Sequence, residues 1–503
     1  MSLSAMQSNI KTVVMLMLEN RSFDNLFGYL YSSNDKAPRI IPQGSKPQNF
    51  NGIPIGASNP AYDSNHDVQY HPVKPIPIDY VSSNNIDPWT IPTVNPTEEF
   101  LSPFNTGRGV INQMFGNEEM VSTLPPSGTE PRMLGFLQDY WNFMTDKPFA
   151  GQDILWAFQR DQIPWLSTAA LTGAISDAWF SSLPSDTNPN RAFSLCGTSL
   201  GRDRNRWLSA VETFDIPTIF NGLAPKKSCA LYYADEWQGP QSYTQYTFPQ
   251  SVHGLSECAS WLKFFERAKA GTLMDFTYLE PKWGGLNSDL KVVQGTDLHP
   301  PTSVRPGDAV LGVILSYLTK SPQWPNTLLI ITFDEHGGTY DHVGPSWKAT
   351  PPDDCVSENG FKFDLFGVRV PTILVSPYVR PFTVFRSPTG VPFDHTSVLK
   401  TLMGWSGGDV NQFRERAKAA PDFSFVLSAS DEEAADHSEK IKQAFAEAPT
   451  ELAMPADNPL FEGVRRASVK WILATSRTPE EIVRKIEDYR RDPEKFEAAL
   501  SGA

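Results

Sequence analysis

The sequence predicts an α/β fold with a mostly parallel sheet, and three observations carry that reading. The stretch Thr12-Val-Val-Met-Leu-Met-Leu18 is a continuous apolar run with no polar alternation, as in strands buried on both faces. Asn326-Thr-Leu-Leu-Ile-Ile-Thr-Phe333 repeats the pattern. From about residue 133 to 405, strand-like and helix-like segments alternate, which is the rhythm of an α/β sheet.

Around this core the chain changes character twice. Residues 29–130 are rich in Pro, Asn, Ser and Gly and read as a long insertion of loops and short elements, the kind of excursion that is functional or disordered. From about residue 406, Ala, Glu, Lys and Arg dominate. Thr478-Pro-Glu-Glu481 has the makings of a helix start, and Ile482, Ile486 and Tyr489 then share a face. The expected division is an α/β core over 1–405, containing the insertion, and a mainly helical region over 406–503 that packs on it. A membrane-surface role for that region is the alternative.

Composition narrows the class. With 503 residues, 40 % hydrophobic and 20 % charged, the chain is too apolar for general disorder. Its 43 basic against 57 acidic residues give a net charge of −14, the opposite of a nucleic-acid-binding footprint. The apolar run 13–18 is far short of the roughly 20 residues a membrane span takes, and no signal-peptide pattern is visible. A soluble chain is expected, cytoplasmic or exported by another route. Cys196, Cys229, Cys258 and Cys355 form no C-x-x-C pair, so free buried thiols are expected rather than a zinc ribbon or redox motif.

The chemistry is expected where the strands end. Thr12–Leu18 runs straight into Glu19-Asn20, the second run into Asp334-Glu335, and Phe276-Thr-Tyr-Leu279 into Glu280. In parallel sheets ligands bind outside the carboxyl ends of the strands. A lone acid there reads equally well as a helix cap. Two adjacent donor pairs crowded at one rim would repel unless a cation lay between them. Glu19, Asn20, Asp334 and Glu335 offer only oxygen, which suits a hard divalent cation: Ca²⁺ first, then Mg²⁺ or Mn²⁺. Thr187, in a Pro-rich turn before an apparent helix starting at Arg191, could then serve as a metal-activated nucleophile, and Arg191 could bind a phosphate. The plain alternative is a helix cap and a surface ion pair. Among the eight histidines, His299 in a His-Pro-Pro turn is the preferred proton donor; His336, His342 and His395 lie in similar polar segments.

These motifs, taken in order, resemble those of the bacterial phosphoesterase family, which contains phosphatidylcholine-preferring phospholipases C and a group of acid phosphatases. The resemblance begins at Glu19-Asn-Arg-Ser-Phe-Asp-Asn-Leu-Phe-Gly28 and continues through Asp177-Ala-Trp-Phe-Ser-Ser182 and Thr187-Asn-Pro-Asn-Arg191. It extends through Leu279-Glu-Pro281, Leu298-His-Pro-Pro301, Asp334-Glu-His-Gly-Gly338, Tyr340-Asp-His-Val343 and Phe393-Asp-His-Thr-Ser397. It implies an alkaline-phosphatase-like α/β fold, a mostly parallel sheet sandwiched by helices. It implies a metal held by Glu19, Asn20, Thr187, Asp334 and Glu335, with Zn²⁺ as a further candidate. It implies Thr187 as nucleophile and His299 in the phosphate and leaving-group pocket, with Arg191, Glu280 and His336 as substrate-binding residues. One departure is visible. Glu98 stands where acid-phosphatase relatives carry a catalytic His, so a carboxylic acid with a raised pKa would replace it.

The expected activity is metal-dependent phosphoester hydrolysis through a phosphothreonine intermediate. Phospholipase C action on phosphatidylcholine-type lipids is favoured over phosphomonoester hydrolysis by an acid phosphatase. The expected partner is a phospholipid or small phosphoester, with transient membrane contact and no nucleic acid. A sulfatase is disfavoured because no Cys-x-Pro-x-Arg motif is present, and a non-catalytic binding protein is disfavoured by the intact donor set.

Overall fold

A computed structural model describes residues 3–32, 35–62, 67–76, 100, 109–116, 121, 123–143, 151–205, 213–234, 242–286 and 292–449. Glu98 and the expected helix at 478–489 lie outside the described residues.

A nine-stranded sheet organises the chain. Its strands are β1 (Thr12–Leu18), β2 (Arg39–Ile41), β3 (Ala174–Ser176), β4 (Cys229–Tyr233) and β5 (Glu257–Ser260). They are followed by β6 (Phe276–Glu280), β7 (Thr327–Phe333), β8 (Thr372–Val375) and β9 (Thr383–Phe385). The spatial order is β2-β9-β3-β8-β7-β1-β6-β4-β5. Only β8 runs antiparallel to its neighbours; every other pairing is parallel. The chain between β7 and β8 leaves and re-enters at the rim where β7 ends, so β8 must run away from that rim. Every residue of β1 and β7 is buried, which is why both read as unbroken apolar runs.

Helices cover the sheet in two groups. Central to one is α5 (Arg305–Lys320), packed on α2 (Pro164–Thr172), α4 (Trp261–Ala270) and α7 (Asp431–Ala444). In the other, α6 (Thr396–Ser406) packs on α1 (Leu3–Asn9) and α3 (Thr187–Cys196). Helix α7 begins in a capping box, Ser430 with Glu433, followed by three acidic residues that suit a helix N-terminus. Just past its end Phe445 lies 5.9 Å from the Trp165 ring, and one continuous hydrophobic cluster runs from Met6 to Ala448. Among the described residues no helix is long and apolar enough to cross a membrane.

Several details depart from the sequence reading. The insertion donates β2 to one edge of the sheet, a strand too short to show in the sequence. Helix α1 precedes the first strand where no element was expected. All four cysteines are free; Cys196 and Cys229 are buried, but Cys258 is half-buried and Cys355 exposed.

Since β7 sits at the centre of the sheet with no exposed face, Ile331→Ala is expected to lower stability by about 2–5 kcal/mol. Chemical denaturation would measure it, and a loss below about 1 kcal/mol would contradict this placement.

Candidate active site

Register brings the first two donor pairs together. β1 and β7 are parallel neighbours with Leu18 level with Phe333, so Glu19 and Asp334 leave the sheet side by side. The loops beyond are laced together. The Asn20 amide donates to Asp334 Oδ1 (3.0 Å), and so does the Glu335 amide (2.7 Å). Asn20 takes a left-handed backbone (φ 56°), and Gly337 (φ +63°) lies so close that an added Cβ would come within 2.1 Å of the Asn20 carbonyl. Glycine is needed there for both reasons. Farther out, the Ser22 amide donates to Thr339 Oγ1 (2.9 Å) and Ser22 Oγ to the Tyr340 carbonyl (2.6 Å).

Thr187 joins this rim from α3. The structure starts the helix at Thr187 itself rather than at Arg191. Pro189 fits inside because the first-turn amides of a helix have no intrahelical acceptor to lose. Asn190 fixes the preceding turn, its Nδ2 donating to the carbonyls of Leu183, Ser185 and Asp186. Thr187 Oγ1 then donates to Glu19 Oε2 at 3.2 Å. Arg191 lies one turn on, on the same face, and grips Glu19 Oε1 through Nε (3.0 Å) and Nη2 (2.5 Å).

Arg191 was expected on a substrate phosphate. It is instead 1 % exposed, bonded to Glu19 and the Tyr278 hydroxyl (3.1 Å), and stacked 4.7 Å from the Trp283 ring. It orients Glu19. Glu280, also expected to bind substrate, is level with Met17, two positions short of Glu19. Its carboxylate accepts the amides of Tyr243 (2.9 Å) and Thr244 (2.8 Å) and the Trp283 indole N–H (3.3 Å). Those two amides open the short helix Tyr243–Thr247, so Glu280 caps its first turn beside the N-cap Ser242. His336 is buried, with Nε2 on Gln113 Oε1 (2.7 Å), and burial lowers its pKa to about 3. Its Nδ1 lies 3.4 Å from Glu335 Oε2.

Burial dominates the electrostatics. Desolvation raises the Glu19 pKa against the pull of Arg191. Desolvation and the neighbouring Glu19 carboxylate push Asp334 up to about 8. Asp334 Oδ2 is buried without a hydrogen bond, 3.4 Å from Arg191 Nε. Crowded, oxygen-only and short of positive charge, this rim fits a divalent cation.

A second group of ligand-type side chains lies nearby: Asp24, Asp341 and His342 place three ligand atoms within 4.8 Å of one another. Here the positive charge is built in. Arg369 bonds Asp24 (2.8 Å) and Asp341 (2.9 Å), and His342 Nδ1 lies 2.6 Å from Asp24 Oδ2. Of the two groups, the one around Glu19 and Asp334 has the unmet demand for a cation.

His299 sits half-buried on a turn beside this rim. Its Nδ1 lies 2.6 Å from the Pro300 carbonyl, so Nδ1 carries the proton and Nε2 is the basic nitrogen. Burial lowers its pKa. Asp297, which the sequence reading missed, accepts the amides of His299 (3.3 Å) and Gly284 (2.5 Å), and burial raises it to about 6. Its carbonyl accepts the Glu19 amide at 2.8 Å. The one available signal was its place two residues before His299. His395 was noted without a role; its Nε2 lies 2.6 Å from the Asp334 carbonyl.

Comparison with known proteins gives the class of enzyme. The chain is a phosphoric ester hydrolase. It belongs to the Phosphoesterase family, whose model matches residues 10–405. It is 30 % identical over 407 residues to non-specific phospholipase C3 of Arabidopsis thaliana, spanning 78 % of this chain and 69 % of that one. It is also 30 % identical over 429 residues to non-specific phospholipase C6 of the same plant, with 84 % and 73 % covered. Hemolytic phospholipase C of Pseudomonas aeruginosa is 25 % identical over 443 residues, with 78 % and 52 % covered. Among solved structures, a protein in the alkaline phosphatase superfamily from Vibrio parahaemolyticus is similar at TM-score 0.30 and 14 % identity, over 53 % of this chain and 67 % of that one.

Gly337→Ala is expected to displace Asn20 and lower phosphoester turnover by roughly 100-fold, the scale of a 1 Å misplacement. Steady-state kinetics on folded variant, verified by circular dichroism, would measure this. Unchanged turnover would show that Asn20 does not need its present position.

Proposed function

We propose that this chain is a metal-dependent phospholipase C. It would cleave phosphatidylcholine-type lipids to diacylglycerol and phosphocholine through a phosphothreonine intermediate. The observation that carries the reading is the Thr187 hydroxyl, at a helix N-terminus and on Glu19 Oε2 at 3.2 Å, over the crowded carboxylate rim. The relatives' names supply the substrate class.

Glu19, Asn20, Asp334 and Glu335, with Thr187 Oγ1, would hold the cation, Ca²⁺ by preference for an oxygen-only set. Such an ion supplies charge neutralisation at phosphate and a lowered pKa for a bound hydroxyl. Glu19 Oε2 is the proton acceptor within reach of Thr187 Oγ1. The amino end of α3 favours negative charge on the attacking oxygen and on the phosphoryl group. Arg191 holds Glu19 in one orientation through both bonds. Thr187 Oγ1 attacks phosphorus as the glycerol oxygen leaves. His299, on its Nε2 side, gives that oxygen a proton and then takes one from the water that frees Thr187. Glu98 is a further candidate donor from sequence alone. Contact with the lipid surface would be transient.

Thr187→Ala is expected to lower turnover by roughly 10³-fold or more while leaving the fold intact. The assay is hydrolysis of para-nitrophenyl phosphorylcholine beside para-nitrophenyl phosphate, with chelator and with Ca²⁺ restored. Faster, cation-dependent cleavage of the phosphorylcholine ester supports the proposal, whereas faster monoester cleavage makes the chain an acid phosphatase. Full activity of metal-checked Thr187→Ala would end the phosphothreonine mechanism.

The pH profile gives a separate check. As a proton donor His299 works only when protonated, and burial lowers its pKa from the ordinary 6.5. On a short-chain phosphatidylcholine the rate should therefore fall with rising pH, with a midpoint below 6.5, and His299→Asn should abolish that limb. A limb that survives the substitution belongs to another group.

A further inference from the structure

Arg21 follows directly on Glu19 and Asn20, yet neither the sequence motif nor the mechanism above gives it a task. It is fully buried, with its guanidinium 5.8 Å from the Phe158 ring. Burying a charge is expensive, and an apolar side chain of similar size would fill the same space at lower cost. Its polar contacts show where the charge is directed. Nε donates to the Leu298 carbonyl (2.8 Å), Nη2 to the Thr302 carbonyl (3.4 Å) and Nη1 to Asn25 Oδ1 (3.2 Å).

Leu298 and Thr302 bracket His299. The turn between them is closed by Thr302, whose amide (2.9 Å) and hydroxyl (2.5 Å) both reach the His299 carbonyl. Leu298 holds a left-handed backbone (φ 71°), a conformation that a leucine adopts only when its surroundings impose it. Arg21 grips the outside of this turn while Asp297 accepts the His299 amide from inside. Two covalent steps separate Arg21 from Glu19, whose own amide is bonded to the Asp297 carbonyl.

We propose that Arg21 is a positioning residue for the leaving-group acid: by holding the Leu298 and Thr302 carbonyls it fixes His299 relative to the strand end that carries Glu19 and Asn20. The inference rests on the reading of His299 as proton donor. The role assigned to Arg21 is exercised through the turn, by its bonds to the Leu298 and Thr302 carbonyls. Misplacing His299 then matters only when the departing oxygen needs a proton. A phosphatidylcholine glycerol oxygen needs one, whereas para-nitrophenolate leaves as a stable anion.

The test compares kcat/KM on a short-chain phosphatidylcholine with that on para-nitrophenyl phosphorylcholine, using Ca²⁺-loaded enzyme. Arg21→Lys and Asn25→Ala should each lose about tenfold or more on the lipid beyond any loss on the nitrophenyl ester, a part of the roughly 10²–10⁴-fold that general acid catalysis supplies. His299→Asn should show the same asymmetry. Asn25→Ala leaves the buried charge in place but removes the Oδ1 that anchors Arg21 Nη1, so it decides the question should Arg21→Lys not fold. Equal losses on both substrates overturn the positioning role and leave Arg21 a structural residue. Asymmetry with Arg21→Lys but none with His299→Asn overturns the route through His299. A wild-type enzyme that cleaves neither ester overturns the functional reading and this inference with it.

Discussion

The site depends on one electrostatic constraint, the burial of several carboxyl groups at the end of two adjacent parallel strands. Each would be better solvated in water, and together they repel. The fold answers part of that demand with Arg191, which binds Glu19 twice and approaches Asp334. The demand left over, marked by the buried Asp334 Oδ2 that has no hydrogen bond and by burial and Glu19 raising that carboxyl's pKa, is what a divalent cation would meet. Beside it, the Asp24–Asp341–His342 group shows the same crowding answered from within, by Arg369. One rim thus holds two acidic clusters of different kinds. The first keeps its charge deficit and suits a ligand; the second is closed and ties the 19–25 loop to the 334–342 loop.

How much of this was legible follows from the physics of each element. β1 and β7 could be read directly because double-sided burial leaves an unbroken apolar run, and the polar pair ending each run had to emerge at a rim. Register was not legible. Glu280 ends an equally buried strand, yet its pairing leaves it two positions short of Glu19, and its carboxylate holds the first amides of the helix Tyr243–Thr247. Strands as short as β2 and β9 carry too few residues to show a period. Arg191 was taken for a phosphate ligand because its spacing from Thr187 was not converted into a shared helix face. That spacing, once the helix is seen to start at Thr187, turns both side chains onto Glu19.

Positioning residues were the least legible class. Asp297 and Arg21 act on backbone amides and carbonyls, and such partners leave no mark in a sequence because every residue has them. A metal ligand or nucleophile is recognisable by type; a residue that fixes a turn is recognisable only from the groups it reaches. The family motifs carried Arg21 along with the proposed ligands without distinguishing its work, and the motif around His299 began one residue after Asp297.

This distinction bears on how the parts move together. Glu19, Arg21 and Asn25 lie on one short segment, and they reach Thr187, the His299 turn and the Trp156 carbonyl respectively. The Asp334 loop is fastened to that segment at Asn20, Ser22 and Asp24. Thr187, the strand-end carboxylates and the His299 turn therefore share a single anchor, and none can shift far without the others. A phosphoryl transfer needs attacking oxygen, phosphorus and leaving oxygen in line, so errors between the two ends of that line are costly. Tying Thr187 and the His299 turn to the first turns after β1 keeps those errors small in the proposed reaction, and there the buried charge of Arg21 would be the cost of extending that control to the far end.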